Sequence, residues 1–208
     1  MTSLPAGIAS IIFDLGGVII DLATEKTAKA FATLAGISES DVFQAHLLNA
    51  GFTAFEKGEM GSNEFRDAIR TIFSITATDY EIDACWNAML VGLPAKKLIL
   101  LEKLRAHFKT FLLSNTNAIH LSYIEAVMLN GRVLDTFFHK TYCSHKVGMR
   151  KPDPIIYKHI LEQNNLAAEQ TIFLDDNKEN IEAAKLLGIQ TIHIANPDRA
   201  FDIFKKYD

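Results

Sequence analysis

The stretch IASIIFDLGG, residues 8–17, decides the fold of this 208-residue chain. A short run of apolar residues ends abruptly at an aspartate and two glycines, which is typical of a buried β-strand that stops at a loop. A carboxylate placed there can act as a nucleophile. We therefore interpret residues 8–13 as the first strand of a sheet and Asp14 as a candidate catalytic residue.

Three later stretches have the same form, a strand-like run followed by small polar or acidic residues. They are residues 110–113 before Ser114 and Asn115, residues 171–174 before Asp175 and Asp176, and residues 191–195 before Asn196. Segments with helical apolar spacing separate them, over residues 97–108, 154–164 and 180–187. This alternation predicts a three-layer α/β fold, with a Rossmann-like parallel sheet covered on both faces. In such sheets ligands bind beyond the carboxyl ends of the strands, where these polar residues fall.

Residues 21–94 have a different pattern, with helical spacing and little that indicates a strand. We expect four helices there, around residues 25–34, 41–48, 63–72 and 80–90. Such a segment between the first strand and the rest of the sheet is typical of an insertion. The sequence thus predicts an α/β core, residues 1–20 and 95–208, and an inserted helical cap, residues 21–94.

The composition is that of an ordinary globular protein, with 49% apolar and 22% charged residues. A formal charge of -4 gives no support for nucleic acid as a partner. The apolar runs are too short for a membrane span, and the start of the chain has no secretory pattern. Two isolated cysteines favour a reducing compartment, so we expect a cytoplasmic protein that acts on a small molecule. No feature indicates an oligomeric state.

Four sites, taken together, indicate phosphoryl transfer. Asp14 offers a nucleophile, and Ser114 and Asn115 offer a hydroxyl and backbone N–H groups for phosphate oxygens. Lys151, in GMRKPDP at residues 148–154, offers a cation, and Asp176 offers a hard oxygen ligand for Mg²⁺. Transfer of a phosphoryl group needs these parts because its catalysis is mostly positioning and charge neutralisation.

The same sites resemble, in order, the four motifs of the haloacid dehalogenase-like (HAD) hydrolases. The matching stretches are FDLGGV at residues 13–18, LSNTN at 113–117, KPDP at 151–154 and FLDDN at 173–177. The resemblance covers nearly the whole chain and is closest to the branch with a small helical cap, which includes phosphatases, dehalogenases and phosphoglucomutases. Within that branch, the motifs are most similar to sugar-phosphate phosphatases that act on glucose 1-phosphate.

The resemblance implies a role for each catalytic residue. Asp14 would be the nucleophile, and a phospho-aspartyl intermediate would form on it. Ser114 and Asn115 would bind the phosphate, and Lys151 would bridge the phosphate and the nucleophile.

The resemblance also implies a magnesium site. Asp14, the backbone carbonyl of Gly16 and the carboxylate of Asp176 would be ligands of the ion. Asp175 would either bind the ion directly or support it through a neighbouring group.

Gly16 is the departure from the family pattern. Most phosphatases of this family have a second aspartate two residues after the nucleophile, which serves as general acid and base. A glycine cannot transfer a proton, and this function is typically worth about 10²–10⁴-fold in rate. A good leaving group, water, a cap residue or the substrate would then have to compensate.

Two other functions fit the missing acid. A metal-independent 2-haloacid dehalogenase needs no proton for its leaving group, and a non-catalytic phosphate-binding or interaction module needs none at all. Dehalogenases usually lack a paired acidic fourth motif, and Asp175 and Asp176 near Asp14 would concentrate negative charge that only a cation makes tolerable. A mutase, which moves protons repeatedly, is disfavoured. We therefore predict a magnesium-dependent phosphatase acting on a small phosphorylated metabolite, with a sugar phosphate such as glucose 1-phosphate as the first guess.

Three histidines lie near these motifs and invite a role as the missing acid. His193 falls within a strand-like run and His120 within a helical one, which favours structural roles. His145 is close in sequence to Lys151, but no pattern places it at the site.

Overall fold

A five-stranded parallel sheet forms the centre of the protein in a computed structural model, which describes residues 4–48 and 50–207. Its strand order is β5-β4-β1-β6-β7. A separate antiparallel pair joins β2 to β3. In chain order the strands are β1 (Ser10–Phe13), β2 (Asp21–Leu22), β3 (Leu90–Gly92), β4 (Lys109–Ser114), β5 (Lys140–Cys143), β6 (Thr171–Asp175) and β7 (Gln190–His193).

The described residues form ten α-helices, with short 3₁₀ turns and one π-helical turn, Ile124–Met128, between some of them. Half of them lie between β2 and β3, and the others follow β3. In chain order they are α1 (Thr24–Ala35), α2 (Glu39–Leu48), α3 (Ala50–Glu56), α4 (Ser62–Phe73), α5 (Asp79–Asn87), α6 (Ala95–Arg105), α7 (Ala118–Tyr123), α8 (Ser144–Val147), α9 (Pro154–Gln163) and α10 (Lys178–Lys185).

The strand side chains alternate between two apolar layers. Ile11 and Phe13 face one layer, which they share with Leu104 of α6. Ile12 faces the other layer, where Ile160 of α9 packs. Because both faces of β1 are covered, every residue of this strand is buried. The predicted α/β fold with a parallel sheet is confirmed.

The connections place the ends of three strands side by side. β1 lies in the middle and pairs with β4 on one side and β6 on the other. The chain runs outward from β1 to β4 and β5 and then returns to β6, so the strand order changes direction beside β1. Such a switch point leaves a crevice at the carboxyl edge of the sheet, where ligands bind.

The helices α1–α5 form a helical insert with an apolar cluster of its own. Phe55, Phe65 and Trp86 are buried in this cluster, and the rings of Phe55 and Phe65 stack with their centroids 4.2 Å apart. The insert occupies the span that the sequence assigns to a cap. The four predicted helices are present, but the last ends at Asn87 because residues 90–92 pair with β2 instead. A fifth helix, α3, is absent from the prediction.

None of the helices in the described part of the chain combines the length and the apolar character needed to cross a lipid bilayer.

Replacing Phe173 tests the packing of the central sheet. This side chain is fully buried on β6, and its ring meets that of Tyr157 edge to face at 5.6 Å. Phe173→Ala leaves a cavity and is expected to lower the free energy of unfolding by about 3–5 kcal/mol in urea denaturation. Phe43→Ala is the matched control: its ring is 56% exposed, so its effect is expected within about 0.5 kcal/mol. Equal losses in both variants would contradict the assigned packing.

Candidate active site

Asp14 lies at the carboxyl edge of the sheet, directly after β1. Its backbone N–H donates to the carbonyl of Leu174 at 2.9 Å, which continues the pairing with β6. The N–H of Leu15 donates to Asp14 Oδ1 at 2.7 Å and fixes the carboxylate. Asp14 is 8% exposed, so this carboxylate is largely out of water but still reachable.

Lys151 connects Asp14 to the neighbouring strand. Its Nζ lies 2.8 Å from Asp14 Oδ1 and 2.6 Å from Asp175 Oδ2, and its side chain is 1% exposed. The lysine comes from the loop between α8 and α9, which crosses the carboxyl edge of the sheet. A buried ammonium between two carboxylates is a charge-neutralising bridge.

Asn115 holds the loop that carries Lys151. Its Nδ2 donates to the carbonyl of Lys151, and its Oδ1 accepts from the N–H of Lys151, both at 2.9 Å. The side-chain amide is therefore engaged with the protein backbone. Ser114, the last residue of β4, is 3% exposed and lies beside it.

The loop after Ser114 is fixed by two further polar contacts. Ser144 Oγ accepts from the N–H of Thr116 at 3.0 Å and donates to its carbonyl at 2.9 Å. Asn117 Oδ1 caps α7 by accepting from the N–H of His120, and it also accepts from Trp86 Nε1 of the insert at 3.3 Å. The second motif is thus anchored to both the core and the insert.

Asp175 is fully buried and has donors on both oxygens. Oδ1 accepts from the N–H of Asn177 at 2.8 Å and from Nδ2 of Asn180 at 3.0 Å. Oδ2 accepts from Lys151 Nζ and again from Asn180. The sequence analysis does not predict a role for Asn180. Its position five residues after Asp175, near the start of the following helix, is the feature that could have indicated one. Its amide orients the carboxylate that in turn holds Lys151.

Asp176 lies over the backbone of Gly17. Gly17 has φ +68°, and a Cβ built on it would lie 2.2 Å from Asp176 Oδ2. Only glycine allows this close approach in this backbone conformation. The carbonyl of Asp176 also accepts from His193 Nε2 of β7 at 2.9 Å.

Three carboxylates converge at this edge and form a candidate metal site. One oxygen each of Asp14, Asp175 and Asp176 lies within 4.8 Å of the others. Hard carboxylate oxygens suit Mg²⁺. Within the cluster three acidic groups face the single ammonium of Lys151, so a divalent cation would offset the remaining negative charge.

Burial and the neighbouring charges shift the pKa values of Asp14, Lys151 and Asp176. Burial, together with the charge of Asp175, raises the pKa of Asp14 from 3.8 to about 7, although Lys151 opposes the shift. Burial alone would lower the pKa of Lys151, but Asp14 and Asp175 raise it above its ordinary value. Burial and the charge of Asp175 also raise the pKa of Asp176. The lysine therefore stays charged, while the nucleophile candidate holds a proton more readily than an ordinary aspartate.

A cavity of about 740 Å³ lies between this edge and the helical insert. Gly16, Ser114 and Asn115 line its core side, and aromatic side chains such as Phe52 and Trp86 line its insert side. A volume of this size is typical of a small-molecule site. The cavity therefore offers polar groups at Ser114 and Asn115 on its core side and is otherwise lined mainly by apolar side chains.

The three histidines have structural contacts. His120 stacks on Trp86, Nδ1 lies 2.9 Å from Asn87 Oδ1, and burial lowers its pKa to about 3. His145 Nδ1 lies 3.1 Å from the carbonyl of Thr116, and burial lowers its pKa as well.

The chain is similar to known proteins in sequence and in fold. Residues 8–188 match the family model of the haloacid dehalogenase-like hydrolases. The D-ribitol-5-phosphate phosphatase of Bacteroides thetaiotaomicron is 30% identical over 192 residues, which cover 91% of this chain and 93% of that protein. The structure of a HAD family enzyme from the same organism, in complex with magnesium and inorganic phosphate, matches with 36% identity and a TM-score of 0.83 over 89% of this chain and 93% of that one. A HAD-like hydrolase from Porphyromonas gingivalis matches with 30% identity and a TM-score of 0.83 over 90% and 91%.

The raised pKa of Asp14 predicts a pH-dependent stability. The native state keeps a proton up to about pH 7 that the unfolded chain loses near pH 3.8, so in EDTA the free energy of unfolding falls as pH rises between these values. Asp14→Asn removes this group, and the fall is expected to become shallower, while Glu56 and Asp176, whose pKa values are also raised, retain their share. Urea denaturation from pH 5 to pH 8 measures both slopes, and identical slopes would contradict the shift.

Proposed function

Because the chain belongs to the haloacid dehalogenase-like hydrolase family and is a phosphoric monoester hydrolase, we propose that it hydrolyses a small phosphomonoester through a phospho-aspartyl intermediate on Asp14. The observation that carries the proposal is the buried bridge of Lys151 between Asp14 and Asp175, beside a cavity of small-molecule size. A nucleophile, a fixed cation and a cluster of carboxylates are the parts that phosphoryl transfer requires.

Asp14 is the proposed nucleophile because its geometry leaves one oxygen available. The hydrogen bonds from Leu15 and Lys151 both reach Oδ1. Oδ2 accepts no hydrogen bond from the residues that the structure describes, so it is the atom that would attack phosphorus. Lys151 would keep its charge throughout and balance the negative charge that builds up on the transferring group.

Ser114 and Asn115 are the proposed phosphate-binding residues. Ser114 would donate its hydroxyl, and Asn115 would donate its backbone N–H, since the side chain of Asn115 is held by Lys151. The anchored loop would present these donors without rearrangement, which is the form of electrostatic preorganisation that accelerates charge-developing reactions.

The residues of the site fit magnesium as the cofactor. Asp14, Asp176 and the carbonyl of Gly16 would hold the ion, and Asp175 would support the site through Lys151 and Asn180, because its oxygens already have protein donors. Bound Mg²⁺ supplies positive charge that favours the ionised form of Asp14 and offsets the charge of the phosphate. The similar enzyme from B. thetaiotaomicron was solved with magnesium and inorganic phosphate, which supports this assignment.

The proposed substrate is a phosphorylated sugar or polyol. Glucose 1-phosphate follows from the motif resemblance, and D-ribitol 5-phosphate is the substrate named for a relative that is 30% identical. The substrate would bind between the core and the helical insert, which we propose to be the cap that shields the reaction from bulk water. We also propose a cytoplasmic location for the protein, since both described cysteines are free.

The charge of the site favours this function over a 2-haloacid dehalogenase. A metal-independent reaction would leave Asp14, Asp175 and Asp176 with one lysine between them. A non-catalytic module is disfavoured because the nucleophile, the bridging lysine and the acidic cluster are all assembled.

Asp14→Ala and Asp14→Asn are expected to abolish phosphate release while the protein stays folded, because neither variant has a carboxylate that can attack phosphorus. The measurement is a phosphate-release assay on a panel of phosphorylated sugars, polyols and a chromogenic aryl phosphate, with Mg²⁺ and with EDTA. Circular dichroism checks the fold of each variant. Turnover in either variant would contradict the assignment of Asp14 as the nucleophile. Halide release from a 2-haloacid in EDTA would establish a dehalogenase instead.

Gly17→Ala is expected to weaken Mg²⁺ binding by displacing the carboxylate of Asp176, which lies 2.2 Å from where the new Cβ would be. Gly36→Ala is the matched control, since Gly36 has nearly the same φ, +67°, and no neighbouring atom within 4 Å of a Cβ. Both variants are expected to lose about 1–2 kcal/mol of stability from the left-handed backbone. Only Gly17→Ala should show reduced Mg²⁺ affinity by titration calorimetry, and an unchanged affinity would contradict the role of Asp176.

A further inference from the structure

Gly16 stands where most related phosphatases carry the general acid, and the space beside it is occupied in this protein. A Cβ built on Gly16 would lie 2.6 Å from Leu22 Cδ1, so the side chain of Leu22 fills the space into which an acid would extend. Gly16 cannot supply a proton to an alkoxide leaving group, so any protein side chain that does so must be another one that faces the cavity.

Four titratable side chains line the cavity among the described residues, namely Glu25, Glu39, Glu56 and His120. His120 is neutral at physiological pH, since burial lowers its pKa to about 3, and an uncharged imidazole is a poor acid. Glu25 and Glu39 lie exposed in the first turns of α1 and α2. Glu56 is the remaining candidate.

Glu56 is in contact with the loop that carries the bridging lysine. It ends α3, is half-buried, and its Oε2 lies 3.1 Å from Nη2 of Arg150, the residue before Lys151. Two residues later, Gly58 has φ +72° and packs so closely on α8 that a Cβ would lie 2.1 Å from the carbonyl oxygen of His145. The end of α3 is therefore seated directly on the core, and its carboxyl group faces the cavity from a fixed position.

We propose that Glu56 is the general acid and base that replaces the missing aspartate at position 16. This assignment rests on the proposed phosphatase function and deepens it by naming the residue that handles the proton.

The two half-reactions then balance. Asp14 forms a bond to phosphorus, the bond from phosphorus to the leaving oxygen breaks, and the carboxyl proton of Glu56 passes to that oxygen to give the alcohol. In the second step a water molecule attacks phosphorus, its proton passes to the carboxylate of Glu56, and the bond to Asp14 breaks to release inorganic phosphate. Glu56 ends each cycle in the protonated form in which it began.

The surrounding charges suit this role. Burial raises the pKa of Glu56, against the opposing effect of Arg150 and Lys151. These two cations and His145, whose pKa is lowered by burial, are the titratable and charged groups that face Glu56 from the core. A phosphate dianion bound beside Lys151 offsets the positive charge and favours protonation of Glu56.

Leaving-group dependence tests the proposal. The measurement is kcat/KM of the wild type, Glu56→Gln and Glu59→Gln over a series from nitrophenyl phosphate, whose leaving group needs no proton, to alkyl and sugar phosphates. Glu56→Gln is expected to lose about 10²–10⁴-fold on the alkyl esters and to retain most of its rate on the nitrophenyl ester. Glu59, an exposed glutamate at the start of the following turn, is the matched control and is expected to behave as wild type.

Two further variants separate proton transfer from the ion pair. Arg150→Met removes the partner of Glu56 and should lower the rate without a steeper dependence on the leaving group. Glu56→Asp keeps an acid and is expected to recover part of the alkyl ester activity, and it stands in for Glu56→Gln if that variant does not fold.

A loss that is equal on all esters, or reproduced in slope by Arg150→Met, would overturn the assignment of Glu56 and leave the phosphatase function standing. Wild-type enzyme that is inactive on every ester with Mg²⁺ would overturn the proposed function itself, and the role of Glu56 with it.

Discussion

The bridge from Lys151 to Asp14 and Asp175 is the interaction on which the rest of the site depends. Two carboxylates cannot stay ionised in a buried position unless a cation accompanies them, because desolvation of each charge is costly. The cation comes from a loop, so that loop must be fixed, and the amide of Asn115 fixes it. Asp175 must also point at the lysine, and Asn180 orients it. Residues from three strand ends and one loop therefore form a single unit, in which each polar group positions the next.

The single positive charge of Lys151 does not balance the negative charge of the site, and the imbalance affects the ionisation of Asp14. With Asp176 nearby, one ammonium serves three carboxylates, and the pKa of Asp14 rises to about 7. An aspartate in that state is a poor nucleophile, since much of it is protonated near neutral pH. A divalent cation next to the cluster would favour the loss of this proton. Binding of the metal and activation of the nucleophile are thus expected to be one event, linked by proton release.

The sequence predicts the parts of this protein that are set by local patterns and misses those set by tertiary contacts. The strands β1, β4 and β6 are continuous apolar runs because both of their faces are buried, so their ends and the acidic residues there are readable. The edge strand β5, with the sequence KTYC, and the short helix α3 have no clear periodicity, and neither is predicted. In the site, the residue types at the motifs are predictable, but the engagement of the Asn115 side chain and the filling of the space beside Gly16 by Leu22 depend on how distant segments pack.

The location of the proposed general acid decides how the reaction is divided between the core and the insert. An acid two residues after the nucleophile belongs to the core and is in place whether or not the substrate has bound. Glu56 instead lies on the insert, held against the core by Arg150 and by the close packing of Gly58 on α8. Attack by Asp14 then needs only the core, while protonation of a poor leaving group needs the insert correctly seated. Esters that fit the cavity and favour that seating gain in the chemical step itself, so selection by the insert would appear in turnover of poor leaving groups and not in binding alone.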